Sequence, residues 1–200
     1  MLRLYASAAA VAITAVVAGT FAYTQLAEDD SCSASTLAGA EIGGPFTLVS
    51  ETGETVTDAD VIQQPTLIYF GFTFCPDVCP LDAARMAIVT DILQEEGRDV
   101  KPVFISIDPE RDTPEVLANY TANLHPDMLG LTGSLEQVDA ASKAYKTYYA
   151  KQDTGDEFYL VDHSTFTYLM LPEIGLADFY RRDLAPEEMA ARVACHIDAA

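Results

Sequence analysis

Positive charge is what this sequence has least of: 11 Lys and Arg stand against 31 Asp and Glu, a formal net charge of −20 over 200 residues. A surface that acidic repels phosphate backbones, which excludes a nucleic-acid partner and favours solubility and cationic partners. Cysteine is scarce as well, and four in 200 residues are too few for a disulfide-built scaffold. Beyond the N-terminal segment the chain has no internal repeat and no low-complexity block. It does have apolar material: half of its residues are hydrophobic and a tenth are aromatic, which argues against disorder. The length suits one compact domain with a real core plus an extra segment.

That extra segment is the N-terminus. Arg3 and the α-amino group precede an uncharged, Ala- and Val-rich run from Ala6 to Ala22, and Glu28, Asp29 and Asp30 follow it. Basic before and acidic after is the positive-inside pattern, and the run is just long enough for a single span. The competing reading is a signal peptide cleaved near the small residues at Ala18–Ala22. Either way the remainder leaves the cytoplasm. The segment is not rich in Arg and Ser, so it does not resemble a mitochondrial transit peptide. The expectation is a signal-anchor at 1–27, a small-residue linker at 28–42 and a domain at 43–200. The anchor would sit in a bacterial inner membrane, with the domain in the periplasm.

Within the domain, Phe46–Val49 and Thr55–Thr57 flank Gly53 as a hairpin. Thr66–Phe72 is a nearly continuous apolar run, the pattern of a strand buried on both faces. A helix over Leu81–Glu96 follows, with Ala84, Ile88 and Ile92 at helical spacing and Gly97 as its stop. A second buried strand covers Val103–Ile107, and helices are expected at Pro114–Leu124, Leu135–Ala144 and Pro186–Cys195. Phe158–Val161 and Thr165–Leu171 read as a pair of strands with His163 between them. Strand, helix, strand, helix, hairpin and helix is the thioredoxin-like order: an α/β fold whose central sheet is flanked by helices, here with an added N-terminal hairpin and membrane anchor.

The chemistry concentrates in Thr73-Phe74-Cys75-Pro76-Asp77-Val78-Cys79-Pro80, at a strand-to-helix junction on the carboxyl edge of the sheet. Unpaired N–H groups at a helix start stabilise thiolates, and side chains at i and i+4 share a helix face, so both sulfurs can reach one ion. Two thiolates suit Cu(I), and an added imidazole accommodates Cu(II). Zinc is the alternative on ligand chemistry, although a structural zinc site wants a fourth protein ligand. A disulfide-exchange pair is the alternative without metal. The third candidate ligand is His163, in Leu160–Thr165, where a thioredoxin usually carries a proline. Asp162 could orient its imidazole or, equally, be an exposed turn carboxylate.

Taken together, Thr66–Pro80, Ser106-Ile-Asp-Pro-Glu-Arg-Asp-Thr-Pro114 and Val161-Asp-His-Ser164 resemble the SCO/SenC family of copper chaperones over about residues 43–196. The resemblance implies that Cys75, Cys79 and His163 are metal ligands for one copper ion per chain, as Cu(I), Cu(II) or both. It implies a membrane-tethered protein that delivers copper to the copper A centre of cytochrome c oxidase subunit II, or reduces the cysteines there. A copper donor protein and a thiol reductant would be its other partners.

Other residues carry weaker expectations. His125 reads as an exposed loop histidine, and His196 beside Cys195 lacks further ligands. Asp77 reads as a solvated loop carboxylate. Met86 belongs to the core, and the five methionines do not cluster into a copper site. Asp108, Arg111 and Asp112 could form an ion-pair network. Tyr145, Tyr148 and Tyr149 read as half-buried helix positions. Cys32 and Cys195 are expected to pair, closing a large loop.

Overall fold

A computed structural model of the chain describes residues 19, 42–152 and 159–200. All the elements named below belong to the unit Ala34–Ala200. The expected anchor at 1–27 and most of the linker lie outside the described residues. Among the described residues no helix is long and apolar enough to cross a membrane.

Among the described residues the first strands are the expected hairpin, β1 (Thr47–Ser50) and β2 (Thr55–Thr57), which pair antiparallel across a turn where Gly53 takes φ +85°. A single helical turn, α1 (Asp58–Val61), leads to β3 (Thr66–Gly71), in which every residue is buried. Burying such a side chain stabilises the fold by about 1.5–3 kcal/mol, so β3 is a natural centre for the sheet. The remaining elements are α2 (Val78–Glu95), β4 (Lys101–Ser106), α3 (Pro114–Ala122), β5 (Leu129–Thr132) and α4 (Leu135–Ala144). After them come β6 (Tyr149–Lys151), β7 (Val161–His163), β8 (Thr167–Leu171), β9 (Gly175–Tyr180) and α5 (Pro186–Asp198).

Seven strands form one sheet in the order β2-β1-β5-β4-β3-β8-β9. β3, β4 and β5 run parallel, while β8 lies antiparallel to β3 with Tyr69 opposite Thr167. This last register positions the site. Because β8 runs backwards, the residues entering it come alongside the carboxyl end of β3, where the cysteine loop begins. A separate two-stranded ribbon, β6–β7, carries His163 opposite Tyr149.

Several expectations change. α2 starts at Val78 rather than Leu81, so Cys79 and Pro80 lie inside its first turn. Proline fits there because the first N–H groups of a helix have no partner within it. Ala84, Ile88 and Ile92 do not mark its buried face. Ile88 is exposed, whereas Cys79, Ala83, Met86, Val89, Thr90 and Leu93 are buried. α2 lies between the sheet and α5, so burial covers more than one stripe of it. Gly97 stops it as expected, at φ +79°.

β5 and β9 are strands the hydrophobic pattern did not reveal. In Gly175–Tyr180, the buried Asp178 interrupts the apolar run and is held by Arg192 of α5 at 2.7 Å. Tyr145, Tyr148 and Tyr149 are not helix positions either: α4 ends at Ala144, Lys146 turns with φ +53°, and Tyr149 opens β6.

Candidate metal centre

Leaving β3 at Gly71, the chain passes through Phe72, Thr73 and Phe74 to Cys75 and enters α2 at Val78. The turn is held from the side by Asp112, which is wholly buried. Its carboxylate accepts the Thr73 N–H at 3.0 Å, the Thr73 hydroxyl at 2.6 Å and the Ser106 hydroxyl at 2.6 Å. Burial pushes the Asp112 carboxyl above its ordinary range, and the Ser106 and Thr73 bonds oppose that shift. Of the expected ion-pair network, Arg111 pairs with Asp108, while Asp112 instead serves the Thr73 and Ser106 donors.

Cys75 and Cys79 are free thiols, 9% and 0% exposed. The Cys79 N–H, in the first turn of α2, donates to Cys75 Sγ at 3.4 Å. His163 Nε2 lies 3.2 Å from Cys79 Sγ. Thus the fold brings all three expected ligands to one place. Among the described residues no three His, Cys, Asp or Glu side chains, these included, are arranged closely enough to hold a metal ion as they stand.

The donor set fits a soft or borderline ion. Cys79 Sγ and His163 Nε2, 3.2 Å apart, would hold such an ion together with Cys75. Donor chemistry suits copper, with zinc the alternative.

Which nitrogen of His163 is free follows from its other contact. Nδ1 lies 3.2 Å from the Val161 carbonyl oxygen, which can only accept, so Nδ1 carries the proton and the Nε2 lone pair faces Cys79. Burial lowers the basicity of His163, which keeps the imidazole neutral, as a ligand must be. Burial also pushes the Cys79 thiol up, so it holds its proton at neutral pH in the metal-free protein. The S–H then donates to Nε2.

The orienting role of Asp162 is not observed. Asp162 is exposed and accepts from Gln152 at 2.8 Å. Within β7 successive side chains alternate sides, so Asp162 faces away where His163 faces in. The imidazole is oriented instead by the Val161 carbonyl and by aromatic edges, Phe72 at 5.7 Å and Tyr69 at 6.3 Å between ring centroids.

Two site neighbours escaped the sequence reading. Tyr69 is wholly buried, donates to Asp82 Oδ2 at 3.1 Å and places its hydroxyl 3.3 Å from His163 Nε2. Asp82 is itself buried and pairs with Arg85 at 3.5 Å. Burial raises its carboxyl pKa, and Arg85 and Tyr69 oppose the shift. An acid three residues after a cysteine, with an arginine three residues further on, was the available signal.

Residues set aside fall elsewhere. Asp77 is the exposed N-cap residue of α2 and makes no side-chain capping bond. Met86 is in the core. His125 is buried rather than exposed: its Nδ1 accepts the Asp127 N–H at 3.1 Å and its Nε2 meets Asp91 at 3.2 Å. His196 packs 3.4 Å from Asp178, far along the chain from the cysteine loop. Cys195 is disulfide-bonded, and Cys32, its expected partner, lies outside the described residues.

Comparison with known proteins agrees with this architecture. Residues 34–198 match the model of the SCO1/SenC family. The chain is 53% identical to Protein SenC of Rhodobacter capsulatus over 200 residues, which is 97% of this chain and 90% of that protein. It is 45% identical to the mitochondrial SCO1 homolog of Homo sapiens over 159 residues, 78% of this chain but 53% of that longer protein. Among solved structures, Arabidopsis thaliana ScoI with copper bound superposes with a TM-score of 0.76 at 41% identity, over 80% of this chain and 99% of that one. On the match of nearly its whole length, the chain belongs to the SCO1/SenC family.

Proposed function

We propose that this protein is a copper-binding chaperone of cytochrome c oxidase assembly, with Cys75, Cys79 and His163 as the ligands of the one copper ion it carries. The observation that carries the reading is the meeting of His163 Nε2 with Cys79 Sγ at 3.2 Å, beside a second free thiol whose sulfur takes the Cys79 N–H. Copper is the metal because solved relatives such as Arabidopsis ScoI hold it and two soft thiolates favour it over zinc. Copper is the cargo, and the copper A centre of subunit II is its destination. A copper donor and a thiol reductant complete the cycle, since only reduced thiols bind the ion. The segment 1–27 tethers the protein to the bacterial inner membrane with the domain, 43–200, in the periplasm.

A second reading, thiol–disulfide exchange on the oxidase cysteines, draws support from the Cys79 N–H aimed at Cys75 Sγ. Cys75 would attack the partner disulfide and Cys79 would resolve the mixed disulfide, leaving a reduced partner and an oxidised Cys75–Cys79 pair.

The test is metal analysis of anaerobically purified full chain, followed by Cu(II) absorption and EPR spectra. One copper per chain is expected, with a sulfur-to-copper charge-transfer band and one nitrogen ligand. His163→Ala should remove the nitrogen signature and weaken Cu(II) more than Cu(I). Equal binding of both ions by parent and variant would refute the ligand assignment. Catalytic reduction of a disulfide substrate in metal-free buffer would favour the second reading. Retention in the membrane fraction at high salt would support the tether.

A further inference from the structure

The loop 108–112 touches both halves of the site. On one side Asp112 holds Thr73, and the Arg111 guanidinium lies 4.8 Å from the Phe74 ring centroid and 5.8 Å from that of Phe72. Phe72 in turn meets His163 edge-on, and Phe74 adjoins Cys75. On the other side stands Tyr159, two residues before β7. Its ring has the Arg111 guanidinium at 3.6 Å and the Lys151 ammonium at 3.7 Å. Its hydroxyl donates to Asp108 Oδ1 at 2.7 Å, and its carbonyl accepts from Arg111 Nη1 at 3.1 Å.

We infer that Tyr159, clasped by Arg111, is a positioning residue for the metal site: it fixes the ribbon that carries His163 against the loop that carries the cysteines. The inference rests on the metal reading above for its consequence but on the protein's own contacts for its geometry. β6–β7 is a ribbon of three-residue strands outside the main sheet, and a two-stranded ribbon is at best marginally stable alone. Something outside its own hydrogen bonds must set where it lies. From the loop 108–112 Tyr159 meets the Arg111 guanidinium over its ring and at its carbonyl, and the Asp108 and Glu110 carboxylates at its hydroxyl, while Lys151 of β6 covers the ring as well; cation–π contacts of this kind strengthen as they lose solvent. Asp108, buried, pairs with both Arg111 and Tyr159, so neither can move alone. The imidazole four residues on is thereby held over the Cys79 sulfur before any ion arrives.

The experiment compares the parent with Tyr159→Leu. In the metal-free, reduced full chain, alkylation of the buried Cys79 should speed up by about tenfold or more, while global unfolding stays cooperative. Cu(II) affinity should fall about 10–100-fold, as when the support of a ligand is removed. Cu(I), held by the two thiolates, should stay within about threefold. The double variant Tyr159→Leu/His163→Ala should bind Cu(II) no worse than His163→Ala alone, because both remove the same interaction. A parental alkylation rate, or an equal loss of Cu(II) in the His163→Ala background, would overturn the inference. Faster alkylation in a chain whose parent binds no copper would uphold the clasp and refute the metal reading. Should Tyr159→Leu lose its cooperative transition, Tyr159→Phe, which lacks only the hydroxyl bonded to Asp108, carries the test. Its Cys79 rate should rise about two- to fivefold, and a parental rate would overturn the inference.

Discussion

Cys79 and His163 are 84 positions apart in the chain, yet the sulfur of one lies 3.2 Å from the nitrogen of the other. Strand topology creates the contact. β3 delivers the cysteine loop at its carboxyl end, and the antiparallel β8 brings the preceding β7 residue back to the same place. Tyr69 closes the arrangement from beneath, its hydroxyl directed at Asp82 and beside the same nitrogen. The imidazole therefore has one defined tautomer, and its lone pair can reach the thiol or an ion that replaces the thiol's proton.

That replacement makes metal affinity depend on pH. Burial raises the Cys79 pKa, so the metal-free thiol keeps its proton through neutral pH and must release it to bind. Releasing one proton raises the apparent affinity about tenfold per pH unit, so binding tightens as pH rises. Burial lowers the His163 pKa, so its proton competes only on the acid side. Chelator-competition titrations of Cu(I) between about pH 6 and 8 should give a slope of at least one decade per unit. A shallower slope would mean that Cys79 is already a thiolate before the ion arrives.

Asp112 should matter out of proportion to its distance from the sulfurs. Its carboxylate accepts three hydrogen bonds, from the Thr73 N–H and from the Thr73 and Ser106 hydroxyls. Asp112→Ala leaves buried donors unsatisfied, with an expected loss of about 2–4 kcal/mol of stability. Chemical denaturation would read it as a lower midpoint with an unchanged slope. A midpoint within error of the parent would show that the cysteine loop holds its own conformation.

The central part of this site was legible in the sequence for a physical reason. Thr66–Gly71 is apolar at every position but its first, which marks a doubly buried strand, and a cysteine pair at the start of the next helix then falls at the sheet's carboxyl edge. Residues whose roles depend on pairing across the chain were harder to read. His163 is expected in a turn but ends a strand, because its ribbon partner Tyr149, expected on a helix, opens β6 instead. The two readings of Asp162 stay open for the same reason, since only a strand's alternation reveals that it faces outward. His125 and Asp178 were misjudged or missed because a buried polar side chain looks exposed until its partner is known. The Tyr159 clasp joins three loops and has no periodic signature at all.

Cys195 is disulfide-bonded whereas Cys75 and Cys79 are free. If Cys32 is its partner, alkylation of the denatured but unreduced chain should label Cys75 and Cys79 alone. Labels at positions 32 and 195 would refute the bridge. Reducing it should lower stability by up to about 5 kcal/mol, because the loop it closes is long.

Gly71 offers a direct test of how tightly the site is packed. It ends β3 where the sheet passes beneath the first turn of α2. A Cβ there would stand 2.7 Å from a Tyr69 ring carbon, 3.1 Å from Cys79 Sγ and 3.1 Å from a Phe104 ring carbon. Neither ring can swing aside, since both are wholly buried. Gly71→Ala should therefore destabilise the protein by about 1–3 kcal/mol, the usual effect of overpacking. It should also displace Cys79 from His163 and so weaken Cu(I) and Cu(II) alike. That pattern differs from the Cu(II)-selective loss expected when only the histidine is disturbed. Denaturation and copper titration of the same variant check both effects. Parental stability with parental affinity would mean that the sheet and helix can separate at this point without moving the thiol.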